Sequence, residues 1–173
     1  MVALKIYILE TCLQNSLKNV FEFAEACLHN SSIDEKLALT HQAWHALENG
    51  ELSFISDQPV MSIAKVKFPD KPILLAPRDM PKRKLGTVEG VAAFFHAIAH
   101  VEFVAIYLAW DMLYRFRGMP DQFYQDWLRI ADEEAQHFAL IRTHLLAMHV
   151  AYGDLPAHSG LWDHATDTAD DLL

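Results

Sequence analysis

Glu102, Glu134 and His137 are the residues whose types and spacing point most directly to chemistry. An apolar series at helical spacing runs through Phe95, Ile98, Ala99, Ala105, Ile106, Ala109, Met112, Leu113 and Phe116, and Glu102 continues it across the gap after Ala99. A second series runs through Phe123, Trp127, Ile130, Ile141, Leu145 and Met148, and Glu134 and His137 fill its gap. A carboxylate on an apolar face is strongly disfavoured unless it is paired or bound to a cation. Glu and His three residues apart project from one side of a helix, so one metal can take an oxygen and a nitrogen from them together.

Metal centres inside ferritin-like bundles combine one Glu from each of two helices with a Glu-x-x-His from each of the other two. Glu102 and Glu134-Ala-Gln-His137 match half of that formula. The competing explanation is a structural ion pair, because a lone Glu-x-x-His is common on helix surfaces. Shared phase with an apolar stripe, and a third carboxylate on the companion helix, favour ligation. Alternatives stay open: Glu133 also reaches His137 at four residues, and His144 continues the stripe as a peripheral ligand. His100 is close to Glu102 in sequence but shares a neighbouring face with His96, Phe103 and Tyr107, where packed, hydrogen-bonded histidines are expected. Tyr107, Tyr114 and Tyr124 read as core aromatics.

The elements that must position these residues are two long helices. The first opens near Thr87, with Glu89 in its first turn, and closes at Gly118; the second begins at Pro120 and runs to about Val150. So short a connection makes them antiparallel neighbours, a helical hairpin of the kind found in long bundles. Residues 87–173 are therefore read as the hairpin and the start of the next segment. Residues 1–50 form an N-terminal helical region with two helices between about 12 and 49. The first has an apolar side of Leu17, Val20, Phe21, Phe23 and Ala24; the second opens at Ser32 with Glu35 as a capping box and stops near Gly50. Between them and the hairpin, residues 51–86 hold five of the seven prolines and read as an irregular connector. Its basic end, Arg78, Lys82, Arg83 and Lys84, reads as a solvated face ahead of an RNA contact.

Composition sets the outer limits. A chain of 173 residues, 52% hydrophobic and 21% charged, suits one all-α domain with a sizeable core. A net charge of -9 argues against wholesale wrapping by nucleic acid or an anionic membrane. Cys12 and Cys27 lack metal or disulfide spacing, which fits reduced thiols and a cytoplasmic location. Val2 to Leu9 has the features of neither a signal peptide nor a membrane span.

The run His96-Ala-Ile-Ala-His100-Val-Glu102 through Trp110 and Asp111, then Tyr114 to Pro120, resembles a ferritin-like bacterial family of unknown function, domain of unknown function 455. Asp126 to Phe138, with Glu133, Glu134 and His137, and Tyr152 to Trp162 extend the resemblance from about residue 20 onward. The hairpin also resembles that of di-iron tRNA hydroxylases. The resemblance implies Glu102, Glu134 and His137 as ligands of iron, with manganese as the other metal. It further implies that the C-terminal helices bearing a second Glu and a second Glu-x-x-His are missing here, so the chain is expected to be truncated or to complete its site as a homodimer. The function expected is an O2-dependent di-iron oxidoreductase or hydroxylase acting on a small molecule or RNA, without membrane association. The alternatives are an iron-binding ferroxidase and a metal-free helical scaffold.

Overall fold

The computed structural model describes residues 18–60, 66–82 and 84–167. Among them are five helices: α1 (Val20–Leu28), α2 (Ile33–Glu48), α3 (Val88–Arg115), α4 (Asp121–Ala147) and α5 (Gly160–Asp167). A two-residue parallel pairing joins β1 (Leu74–Leu75) to β2 (Ala157–His158). The fold is an all-α bundle with this short pairing at its margin. Cys12, Leu17, Arg83, the N-terminal apolar stretch and the C-terminal residues 168–173 lie outside the described residues.

Caps explain where the helices begin. The Asn19 side chain accepts a hydrogen bond from Phe21 N, so the first helix starts at Val20, inside the expected region. Ser32 Oγ accepts from Glu35 N and opens α2 as its spacing predicts. The reciprocal half of the capping box is altered. Asn30 Oδ1, not the Glu35 carboxylate, accepts from Ser32 N, while Glu35 bonds the Asn30 amide at 2.8 Å. Thr87 Oγ1 accepts from Gly90 N at 3.0 Å and opens α3.

The hairpin of α3 and α4 is the spine. Its 28 and 27 residues correspond to helices about 40 Å long at about 1.5 Å per residue. The reversal between them is pinned by Tyr124, whose hydroxyl donates to Phe116 O and accepts from Met119 N. Gly118 supplies the positive φ this turn requires. Helix α4 ends at Ala147, short of Val150, because His149 turns the backbone to φ 60°.

One face of the hairpin is covered by α1 and α2. Trp110 Nε1 donates to Thr40 Oγ1, Lys36 lies 3.8 Å over the Tyr107 ring, and His41 pairs with the buried Asp132. The connector continues the cover. Lys67 ties α1 to α3 through Lys67 N to Leu28 O and Tyr107 OH to Lys67 O, and Phe68 stacks on Tyr107 at 4.3 Å. Trp162 of α5 closes over the same two rings. The core thus lies between the N-terminal helices and the side of α3 bearing His96, Phe103, Tyr107, Trp110 and Leu113.

Candidate metal centre

Phase on the two long helices decides which side chains meet. Residues two apart on an α-helix point about 200° apart. His100 and Glu102 therefore face opposite sides of α3, and Asp132 and Glu134 opposite sides of α4. His100 and Asp132 take the covered side. Glu102 and Glu134 converge on the other, where His137 joins them from the turn after Glu134.

One donor atom from each of Glu102, Glu134 and His137 lies within 4.8 Å of the others. His137 Nδ1 is 3.3 Å from Glu134 Oε2 and 3.9 Å from Glu102 Oε2. Although the three residues continue apolar series, the site lies at the margin of the core. The side chains of Glu102 and Glu134 are 22% and 23% exposed, and that of His137 is 57% exposed. The physical reason is that Glu102 lies at the edge of its stripe: Ala99, Ile106, Ala109 and Leu113 are fully buried, Phe95, Ile98 and Ala105 are half-buried, and the adjoining side with His96 and His100 is buried as well. Phe103 and Phe138, which follow Glu102 and His137 in sequence, are both buried with ring centroids 5.0 Å apart, and they seal the inner side of the cluster.

The electrostatics of the pair are unbalanced. Partial burial, a hydrogen bond to Glu134 and the Glu134 charge together push the Glu102 carboxyl up to about 7, against the opposing pull of His137.

The other candidates stand apart from this cluster. His100 is buried with both ring nitrogens engaged: Nε2 faces the His158 carbonyl at 3.1 Å and Nδ1 faces the Tyr152 hydroxyl at 2.9 Å. A carbonyl only accepts, so Nε2 donates and Nδ1 accepts from tyrosine. Burial lowers the His100 pKa and holds this neutral form. His96 is likewise packed, its Nε2 accepting from Gly153 N, at a turn where Gly153 has φ 102°. Glu133 is exposed, and His144 is exposed with its ring against Phe95. In the connector, Arg78 is solvated and lies 3.8 Å from its neighbour Asp79.

Two buried features escaped the sequence reading. Lys36 is fully buried, with Nζ donating to the Cys27 carbonyl and Thr40 beside it, and Asp132 is buried against His41 and Gln136. Neither had a signal in sequence, because Lys36 reads as the polar side of an amphipathic helix and His41 lies 91 residues from Asp132.

The donor set fits a metal. Ligands held about 2.1 Å from one ion lie at most about 4.2 Å apart, so spacings within 4.8 Å need only small side-chain rotations. Two carboxylates with one imidazole suit iron, manganese or zinc.

The chain is 41% identical over 158 residues to a Haemophilus influenzae protein described as "Uncharacterized protein", an alignment covering 86% of this chain and 55% of the relative. The chain thus spans about half the length of that relative. No solved structure matches it. The sequence also matches a family model over residues 29–173, and with both likenesses the chain belongs to the family described as Protein of unknown function (DUF455).

Proposed function

We propose that this chain carries half of a ferritin-like, carboxylate-bridged di-iron centre serving an O2-dependent oxidation or hydroxylation. The observation that carries the reading is the meeting of Glu102 with Glu134 and His137 across two facing helices, where partial burial and the Glu134 carboxylate raise the Glu102 carboxyl to about 7. Support comes also from the motif, since one Glu and one Glu-x-x-His are half of the ferritin-like ligand set.

Glu102 and Glu134 would hold the metal by carboxylate oxygens and His137 by an imidazole nitrogen. Bound iron supplies one-electron chemistry with O2 that no protein side chain performs. The residues themselves do the rest. Glu102, whose carboxyl is raised to about 7, would release its proton where a cation binds. His137, the most exposed of the three, comes in from the solvent side. Phe103 and Phe138 keep water from the inner side. Manganese is compatible with the same oxygen-rich donors.

The test is addition of Fe(II) without oxygen, desalting, and exposure to air, in wild type and in Glu134→Ala and His137→Ala. Wild type should retain iron and develop ferric charge-transfer absorption that both variants lack. Equal retention and equal absorption in all three would remove the reading.

A further inference from the structure

We infer that the groove between α3, the end of the connector and the segment leading into β2 binds a free aliphatic carboxylate, whose chain lies along α3 and ends beside Glu102. This rests on the metal reading above and names the substrate class of the same site.

Three separate stretches of chain build the groove. Helix α3 lines it with Phe94, Ala97, Ile98 and Val101, the connector with Met80, Pro81 and Leu85, and the third stretch with Leu155, Pro156 and Ala157. The connector is held down where the Lys84 carbonyl meets the helix at Gly90, since a Cβ there would lie 1.8 Å from that oxygen. The third stretch is held by the pairing of β2 with β1 and by Ala157 N donating to the Ile73 carbonyl. Between them lie two cavities, of about 230 Å³ and about 220 Å³, that share Met80, Phe94 and Ala97. From Gly90 on the first to Val101 on the second, α3 rises about 16 Å. The space is therefore long and narrow.

Chemistry selects the occupant. No Asp, Glu, Lys or Arg lines either cavity. The buried polar group of the lining, His100, already has both ring nitrogens engaged. A nucleobase or a hydroxyl-rich ligand would lose its hydration there without new partners, whereas an alkyl chain loses nothing. The connector end is different. Lys82 and Lys84 flank the lining residues Pro81 and Leu85, are exposed, and form no side-chain hydrogen bond or ion pair with the described residues. Of the acids at this end, Asp79 lies 3.8 Å from Arg78, Asp154 accepts from Ala151 N, and Glu89 complements the start of its own helix. In a chain of net charge -9, such a cationic end is a local reversal that draws a carboxylate. The opposite end reaches the metal ligands. Ile98 precedes Glu102 by one turn, which puts their Cβ atoms about 6 Å apart. A ligand anchored at the lysines thus presents the far end of its chain, not its head, to the centre.

The experiment titrates dodecanoate, below its micelle concentration, into the full chain stripped with EDTA, and follows the heat. The expected result is one dodecanoate per chain. Affinity should fall about tenfold or more for hexanoate, for dodecyltrimethylammonium, and for dodecanoate when Lys82→Glu and Lys84→Glu are combined. Ala97→Trp, at an exposed position in the shared part of the groove, should abolish binding while circular dichroism and Fe(II) retention stay unchanged. With Mn(II) added, the terminal methyl of bound dodecanoate should relax faster in NMR than the methylene beside its carboxylate. No binding in a chain that retains iron overturns the ligand and leaves the metal reading intact. Binding that survives Ala97→Trp, or relaxation in the reverse order, overturns the placement. Equal affinity for dodecyltrimethylammonium overturns the carboxylate. Binding by a chain that takes up neither Fe(II) nor Mn(II) removes the metal reading and, with it, the assignment as substrate. Sedimentation of the chain with neutral phosphatidylcholine vesicles, reversed by dodecanoate, would give the groove to a bilayer and overturn the inference.

Discussion

Lys36 allows the interior to be tested by pH. Its side chain is fully buried, and burial lowers its pKa from 10.5 to about 8, only partly offset by the neighbouring Cys27. Burial also pushes the Cys27 thiol from 9.0 up to about 12, against the opposing effects of Lys36 and Thr40. Between pH 8 and 10.5 the unfolded chain holds a proton on Lys36 that the folded chain has released. Stability therefore rises with pH across that window, at about 1.4 kcal/mol per unit. From pH 9 the unfolded thiol loses a proton that the folded thiol keeps, which acts with the opposite sign. The pair together predict a rise from pH 8 to 9, cancellation to 10.5, and a fall above it. Lys36→Met keeps the packed stem and removes the first slope, and the Cys27 carbonyl keeps its hydrogen bond from Asn30 N. The variant should thus gain about 3 kcal/mol over wild type near pH 7, relative to the same comparison at pH 10.5. Urea denaturation of both proteins from pH 7 to 10.5 measures this difference, in which titrating groups out of contact with Lys36 cancel. A difference that stays constant over the range would show that Lys36 titrates alike in the folded and unfolded chain.

Gly90→Ala should destabilise, although the same change in an ordinary helix interior gains about 1 kcal/mol, because the added Cβ would sit 1.8 Å from the Lys84 carbonyl oxygen; a raised melting temperature would contradict this. Leu128→Ala empties a fully buried position in α4 and should cost about 2–5 kcal/mol in chemical denaturation. His100→Gln should lower stability by breaking the links to Tyr152 and the His158 carbonyl, yet leave metal uptake unchanged; loss of metal with the fold intact would make His100 a ligand after all.

The hairpin was legible because its signals are local: Thr87 as cap, Gly118 at the turn, and two long apolar series. The meeting of Glu102 with Glu134 and His137 followed from the same periodicity. What periodicity could not settle is which side of α3 is core. The series through Phe95, Ile98, Ala99, Ala105 and Ile106 satisfies a helical repeat, and so does the neighbouring one through His96, Phe103, Tyr107 and Trp110. The choice is made by long-range partners: Thr40 on Trp110, Lys67 and Phe68 on Tyr107, and Tyr152 on His100. None of these contacts leaves a trace in local spacing. The same holds for Lys36 and Asp132, whose burial depends on helices distant in sequence.

The proposed metal centre consists of Glu102, Glu134 and His137. Its most direct test is the metal content of the protein, by plasma mass spectrometry, after incubation with Fe(II) or Mn(II) and desalting, compared with Glu102→Ala, Glu134→Ala and His137→Ala. Stoichiometric metal is expected in wild type, with a loss in each variant while circular dichroism stays unchanged. Wild type that emerges without metal, or variants that keep it, would rule out ligation by these three residues.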